Sequence, residues 1–414
     1  MDKDKILAAR EIRQLEIEKL KTTYKTVITA KTNIPGKNKS IYFSYRILKR
    51  MINQIPKEIY VYKSYHDGFD GPYYLLGTNL DGLEIKTLMV QMEETDSLGR
   101  FIDLDVYTQD NILSRTKMRK CYICNKDAFV CNRENNHTIG QLIAFMEKKF
   151  RLEFERELFH MIDQSILMEL KLHPKFGLVT PLTSGSHEDM NFEIMLKAKN
   201  AIIPFLIEMF RCGFTKTSLE NVFYEIRTIG KQAEIKMLEA TNNINAYKGL
   251  IFNMGIFVTA MGYLLYNNKE LSEIYHLISQ LSKPVLMDFN NPRDTSGLEA
   301  YYKYGIEGIR GESVSGMPSV KKAIEILEDF SEETKLKTLA FLIGRVEDTV
   351  LLKRSQSFSN YKKIKSQFKH LNTSDSLAVN NLNEYCIKNH LSFGGSADLL
   401  IITILLKMIQ QSWY

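Results

Sequence analysis

The 414-residue chain has no arginine-rich arm, no apolar leader and too few cysteines for a disulfide framework. Lysine and arginine are spread along it and the net charge is only +6, so nucleic-acid binding is not indicated. An excess of this size serves equally for small polyphosphates. The start, Met1-Asp-Lys-Asp-Lys5, is charged and lacks an apolar signal core, which predicts no secretory signal. Five cysteines, an odd number with three close together, point to a reducing compartment, the cytoplasm, with thiols or a metal site. Charge is also missing from Gly249 to Tyr266, a run of about one membrane thickness. Asn253, Thr259 and three glycines lie within it and no basic flank marks an orientation. A buried core helix is expected there, and no membrane. No repeat of solenoid period is present.

The hydrophobic fraction, 44%, is enough for two or three domains with cores of their own. Residues 5–24 place Ile, Leu and Ala at helical spacing among Arg, Glu and Lys, which predicts an amphipathic helix. From Ile59 to Val106 the pattern changes. Ile59-Tyr-Val-Tyr-Lys-Ser-Tyr65, Tyr73-Tyr-Leu-Leu76 and Ile85-Lys-Thr-Leu-Met-Val-Gln-Met92 are apolar or aromatic runs broken by Asp-Gly pairs. They read as strands and turns, hence an α+β domain. Its chemical candidate is Gly99-Arg-Phe-Ile-Asp-Leu-Asp-Val106. In a strand, Asp103 and Asp105 share a face, and two adjacent carboxylates repel unless a cation lies between them. The pair suits Mg²⁺ in phosphoryl transfer. Arg100, Arg115 and Arg119 are near enough in sequence to neutralise a departing pyrophosphate. Cys121-Tyr-Ile-Cys124, Cys131 and His137 follow. These are the ligand types and opening spacing of a zinc site, or else a reduced cysteine cluster.

Residues 138–172 read as helix, with a soft join near Lys148–Arg156. Beyond a Pro- and Gly-rich loop, His173–Phe192, the helical period is continuous: 190–211, 216–240, 248–266, 270–281, 317–329, 332–370, 375–389 and 396–412. An all-α domain is expected. Apolar anchors at Phe176, Leu178, Val179 and Leu182 argue that the loop is ordered, with Lys175, His187, Glu188 and Asp189 available to phosphate and a divalent metal. Four more polar segments interrupt the apolar pattern: Thr241–Gly249 with Lys248, a glycine-interrupted loop Gly308–Pro318 with Arg310 and Glu312, Glu347-Asp348 inside a helical run, and Gly394–Asp398 before the last helix.

Gly99–Val106, Ser114-Arg115, Arg119-Lys-Cys-Tyr-Ile-Cys124, Ala128, Cys131-Asn-Arg133 and His137 resemble the citrate lyase holo-acyl-carrier-protein synthase family, apo-citrate lyase phosphoribosyl-dephospho-CoA transferase. The resemblance implies a nucleotidyltransferase-like domain over 1–152. It would transfer a prosthetic group onto a serine of the acyl carrier (γ) subunit and release pyrophosphate, with Asp103 and Asp105 as its metal-binding carboxylates. Pro174–Thr180, Gly185–Met190, Asn245–Gly249, Gly308–Glu312, Glu347-Asp348 and Gly394–Leu399 are similar to the triphosphoribosyl-dephospho-CoA synthase family, over 153–414. That resemblance implies joining ATP and 3′-dephospho-CoA with loss of adenine. Asp189 and Asp348 are then expected at Mg²⁺ or the ribose, and Lys175, His187, Lys248, Arg310 and Glu312 around the substrate. Because charged side chains are rarely buried without a partner or ligand, Asp189, Asp348, Lys248 and Arg310 are expected to face one cavity. The family pattern has His at Tyr247 and Pro at Phe176. A nucleotide-ribose hydrolase, the malonate decarboxylase counterpart of the pathway and a zinc-bearing adaptor are the alternatives.

Overall fold

The computed structural model describes residues 2–115, 117–290 and 296–414. The chain divides into two compact units, Met1–Arg156 with Trp413–Tyr414, and Glu157–Ser412.

The first unit begins with helix α1 (Asp2–Lys21) and strand β1 (Thr26–Thr32), followed by α2 (Tyr42–Gln54), β2 (Tyr62–His66) and β3 (Tyr73–Thr78). Then come α3 (Gly82–Thr95), β4 (Ile102–Thr108), β5 (Ile112–Leu113) and α4 (Ala128–Arg133). Among the described residues the strands form one antiparallel sheet in the order β2-β3-β1-β4-β5. The period of two assigns its faces. Ile28, Ala30, Leu76, Ile102, Leu104 and Val106 pack on Leu48, Met51 and Ile52 of α2 and on Ile85, Met89 and Met92 of α3. Val27, Tyr73, Leu75 and Tyr107 point the other way, onto Ile17 of α1.

One expected strand is a helix. Ile85–Met92 lies within α3, whose buried positions, among them Ile85, Met89, Met92 and Glu93, recur at three and four. The Asp81-Gly82 pair is the helix start and not a turn: the Asp81 carboxylate accepts the Leu83 and Glu84 N–H groups. The central strand β1, meanwhile, follows almost directly on the expected first helix.

Helix α5 (Ile139–Lys171) contains the division between the units, at Arg156/Glu157. The second unit continues with α6 (Phe192–Cys212), α7 (Leu219–Ala240), α8 (Lys248–Tyr266), α9 (Ile274–Ser282), α10 (Ser296–Tyr304) and α11 (Gly308–Val314). It ends with α12 (Pro318–Ile326), α13 (Glu332–Arg345), α14 (Thr349–Arg354), α15 (Phe358–Lys369), α16 (Ser376–Lys388) and α17 (Gly394–Trp413). Among its described residues it has no strand. Helix α8 is long and apolar enough to span a bilayer, yet 78% of that stretch is buried, against α6, α7 and α9. Gly262 permits a close approach, since a Cβ there would overlap the Phe210 carbonyl of α6.

Two readings of this half need correction. Gly308–Val314 is helix α11 and not a loop. The run 332–370 is three helices, restarted by side-chain caps at Asp348 and Ser357. The loop before α6 is ordered through Phe176, Leu178 and Val179, all buried, with Phe176 edge-on to Phe368 at 4.9 Å. Leu182, expected as an anchor, is exposed.

Candidate active sites

In the first unit, Asp103 and Asp105 alternate with buried Ile102, Leu104 and Val106, so both carboxylates stand on the α1 face of β4. Lys31 of β1 lies directly opposite Asp103, and Thr29 opposite Asp105. Lys31 also reaches the buried Asp70 carboxylate, shared with Arg10 at 3.2 Å and Arg13 at 2.6 Å. Burial brings the Lys31 ammonium down to about 8 against the pull of Asp70. Desolvation, with the Asp103 charge beside it, raises the Asp105 carboxyl above its ordinary range.

A third carboxylate organises the arginines. Glu93 of α3 is buried, and its Oε1 accepts the Leu104 N–H of β4 at 2.6 Å and an Arg119 N–H at 2.8 Å. Arg115 pairs with the same carboxylate, and Arg119 reaches on to Asp103. Gly99 lies so close that a Cβ would overlap the Glu93 carbonyl. Arg100 donates to the Lys120 carbonyl and stands 5.9 Å from the Tyr122 ring centre. Arg100, Arg119, Lys39 and Lys120 line a cavity of ≈320 Å³ whose wall includes Cys121, Cys131 and His137. Sequence proximity therefore did bring Arg100 and Arg119 together, while Arg115 stands off that cavity on Glu93.

Cys121, Cys124, Cys131 and His137 converge. One ligand atom from each lies within 4.8 Å of all the others. The Cys124 and Cys131 sulfurs are 3.6 Å apart.

The second unit places its expected residues in several surroundings. Lys175 does not face phosphate. It is buried and donates to the Glu169 carboxylate at 2.9 Å and the Glu169 carbonyl at 3.0 Å. His187 is half-buried, bonded to Ser392 Oγ at 3.0 Å and meeting Arg354 Nη2 at 3.3 Å from Nδ1. Burial and then the Arg354 charge bring its pKa down to about 4, against the nearby Asp189 carboxylate, so it is neutral at pH 7. Asp189 is exposed.

Asp348 is buried with both oxygens engaged. Oδ1 accepts Val350 N–H at 2.9 Å and Leu351 N–H at 3.2 Å, and Oδ2 accepts Ser396 N–H at 2.9 Å and Ser396 Oγ at 3.1 Å. It caps α14 and ties it to the start of α17. Glu312 likewise accepts Ser319 N–H at 2.7 Å and Ser319 O–H at 3.0 Å at the start of α12, and burial raises its carboxyl. It lines an open cavity of ≈550 Å³ with Glu307, Arg345 and Glu347.

Lys248 and Arg310 do share a cavity, of ≈280 Å³, walled by Phe223, Ile226, Ile251 and Phe252 and rimmed by Arg227, Lys231, Glu234 and Asp288. Lys248 meets Glu234 at 2.9 Å, and Arg310 meets Asp288 at 3.5 Å. Asp189 and Asp348 do not line it. The expectation of a single cavity for all four is therefore not met.

The curated protein CitXG of Leuconostoc mesenteroides subsp. cremoris is 32% identical over 97% of this chain and 96% of its own length. Residues 1–152 match the family CitX, apo-citrate lyase phosphoribosyl-dephospho-CoA transferase, and residues 155–414 match CitG, ATP:dephospho-CoA triphosphoribosyl transferase. The chain belongs to the fused CitX–CitG family. It is a bifunctional transferase of citrate lyase prosthetic-group synthesis. Protein CitXG of Haemophilus influenzae is 29% identical over 78% of this chain and 77% of its own. A probable 2-(5″-triphosphoribosyl)-3′-dephosphocoenzyme-A synthase of Lactiplantibacillus plantarum is 34% identical over 58% of this chain and 92% of its own.

Sequence reasoning gave no role to Glu93, Glu169 or Asp398 individually, and marked Tyr247 only as a departure from the family pattern. Asp398, in the first turn of α17, is buried, and burial with the Asp348 and Glu169 charges raises its carboxyl well above the ordinary range. Gly249 at the start of α8 fits against it, where a Cβ would overlap Asp398 Oδ2. Tyr247 is buried, and its hydroxyl has no hydrogen-bond partner. Burial, then the Glu169 and Asp398 charges, raise that phenol well above its usual value. The position where the family pattern has histidine thus keeps a protic group beside two carboxyls. The one sequence signal for Asp398 was its place in Gly394-Gly-Ser-Ala-Asp398.

Proposed function

We propose that the two reactions are divided between the units, with the synthase step in the second and the transfer in the first. The observation that carries this is that the two family matches meet nearly end to end on the chain, at 152 and 155. Each match has its own charged cavity.

In the second unit, the cation-rimmed cavity holding Lys248 and Arg310 takes nucleotide phosphates, and its apolar wall takes the base or pantetheine arm. A ribose hydroxyl of 3′-dephospho-CoA forms a bond to the anomeric carbon of the ATP ribose as the bond to adenine breaks. Charge like that of an oxocarbenium ion develops at that carbon, so carboxylates stabilise it. Adenine leaves more easily once protonated, and Asp398, packed against Gly249 next to Lys248 with its carboxyl raised by burial and then by the Asp348 and Glu169 charges, is the acid assigned to give that proton. Asp189, exposed and outside the lining of that cavity, takes no part in holding those phosphates.

In the first unit, which we assign a nucleotidyltransferase role, a serine oxygen of the acyl carrier protein attacks the phosphorus next to the transferred ribose, and the bond to pyrophosphate breaks. Asp103 and Asp105, hard oxygen donors side by side on one strand face, fit Mg²⁺. The ion would neutralise the leaving pyrophosphate. Arg100 and Arg119 bind its oxygens, and Glu93 orients Arg119. The donor set Cys121, Cys124, Cys131 and His137 fits zinc. With its cysteines free, the chain is assigned to the reducing cytoplasm. Asp103→Asn tests the division. It lowers transfer by roughly 100-fold or more while adenine release continues. Normal carrier modification by this variant would remove the first site from the reaction.

A further inference from the structure

The segment from Lys117 to Thr138 lacks a core of its own. Among its described residues the only buried apolar side chains are Cys121 and Cys131. Met118, Ile123, Phe129 and Val130 are exposed. Its local order comes from a tight hairpin, with Cys121 N–H donating to Lys126 O at 2.7 Å and Ala128 N–H to Arg119 O at 2.8 Å. Asn125 at its tip has φ 57°. A hairpin of this size with one short helix cannot bury enough apolar surface to hold itself.

The four soft donors are placed where a metal would hold it. The hairpin brings Cys121 and Cys124, α4 brings Cys131, and the connection before α5 brings His137. A tetrahedral site with Zn–S bonds of ~2.3 Å has ligand–ligand edges of roughly 3.8 Å. The 3.6 Å between the Cys124 and Cys131 sulfurs matches that edge. The backbone N–H of Ile123 points at Cys121 Sγ, 3.4 Å away. The buried Nε2 of His137 has no hydrogen-bond partner.

We infer that Cys121, Cys124, Cys131 and His137 bind one zinc ion whose purpose is to hold the pyrophosphate-binding arginines in place. The connections are direct. Arg119 is two residues before Cys121; its carbonyl closes the hairpin and its guanidinium reaches Glu93 and Asp103. The Lys120 carbonyl holds Arg100. Tyr122, inside the Cys121–Cys124 turn, donates to Asn33 O at 3.2 Å and packs edge-on to Phe101 at 5.2 Å. Without the ion the hairpin loses its centre, and Arg119 and Arg100 lose their register. The four residues position; they do not touch the reacting atoms. This role rests on the assignment of Asp103 and Arg119 to transfer.

The test uses the full-length chain purified without chelator. Elemental analysis gives one zinc per chain, and Cys124→Ser and Cys131→Ser lose it. Cobalt in place of zinc shows the visible bands of a tetrahedral thiolate site. Misplacing a binding group by about 1 Å costs on the order of 100-fold. The zinc-free variants, supplied with ready-made triphosphoribosyl-dephospho-CoA, therefore transfer about 10- to 100-fold more slowly, with KM for that substrate raised and adenine release unchanged. His137→Cys, which restores a fourth soft ligand, recovers zinc and transfer relative to His137→Ala. Folded, transfer-competent protein without zinc, or a Cys124–Cys131 disulfide in protein purified under reducing conditions, would overturn the site. Bound zinc whose removal leaves transfer untouched would overturn the positioning role. Asp103→Asn separates the two readings: if that variant transfers normally, the assignment of the transfer site fails, and zinc content still decides the metal site.

Discussion

Glu93 holds the proposed transfer site together from beneath. One buried carboxylate accepts from the β4 backbone and from Arg119 and forms an ion pair with Arg115, so replacing its charge releases both guanidiniums. Hydrogen bonds to charged groups contribute about 1.5–3 kcal/mol. Glu93→Gln is therefore expected to slow transfer by roughly 10- to 100-fold. Adenine release, measured on the same preparation, stays at the wild-type rate. That Asp103 and Asp105 share one face of a strand was legible in the sequence, because a strand's period of two is visible in an alternating run. Glu93 was not. It sits in Met92-Glu-Glu-Thr95, which reads as a solvated surface until the fold turns one of its carboxylates inward. His187 gives a pH test. Its folded pKa, about 4, lies below the unfolded value near 6.5. The unfolded chain therefore binds the extra proton between those values, and stability falls as pH drops from about 6.5 towards 4. His187→Gln should flatten the Tm–pH curve across that window. An unchanged slope would mean that His187 does not carry this linkage.

At the scale of helices, caps decided what periodicity could not. Asp81, Asp348 and Ser357 each start a helix inside a stretch that reads as something else: a turn, or an unbroken helical run. Apolar spacing passes smoothly across a cap, because the next helix can bury the same kinds of residue. Only the local geometry shows the chain restarting. Asp348 illustrates the consequence for function, since an acidic residue expected at the chemistry proves to tie α14 to α17. Losing a cap costs about 0.5–2 kcal/mol, and leaving a buried donor unsatisfied costs about 1–3 kcal/mol more. Asp348→Ala should therefore lower unfolding stability by roughly 2–4 kcal/mol in urea melts. At temperatures where it stays folded, it should still release adenine. A fully stable variant without adenine release would return Asp348 to the reaction.

For the whole chain, the two family identities and the order of an α+β part before a helical part could be read from motifs and periodicity, since both are carried by short contiguous stretches. The grouping of site residues could not, because it depends on which helix ends meet. Lys248 and Arg310 meet at one cavity, Lys175 is turned inward to Glu169, and Asp398 stands beside Tyr247's unpartnered hydroxyl. The central claim is that one chain both builds the prosthetic group and attaches it. Intact-mass analysis of purified apo acyl carrier protein, incubated with this chain, Mg²⁺, ATP and 3′-dephospho-CoA, tests it most directly. The account predicts a mass gain of one phosphoribosyl-dephospho-CoA group per carrier, with one adenine and one pyrophosphate released for each, and no gain when dephospho-CoA is left out. Adenine released without dephospho-CoA, on a carrier that never changes mass, would contradict it.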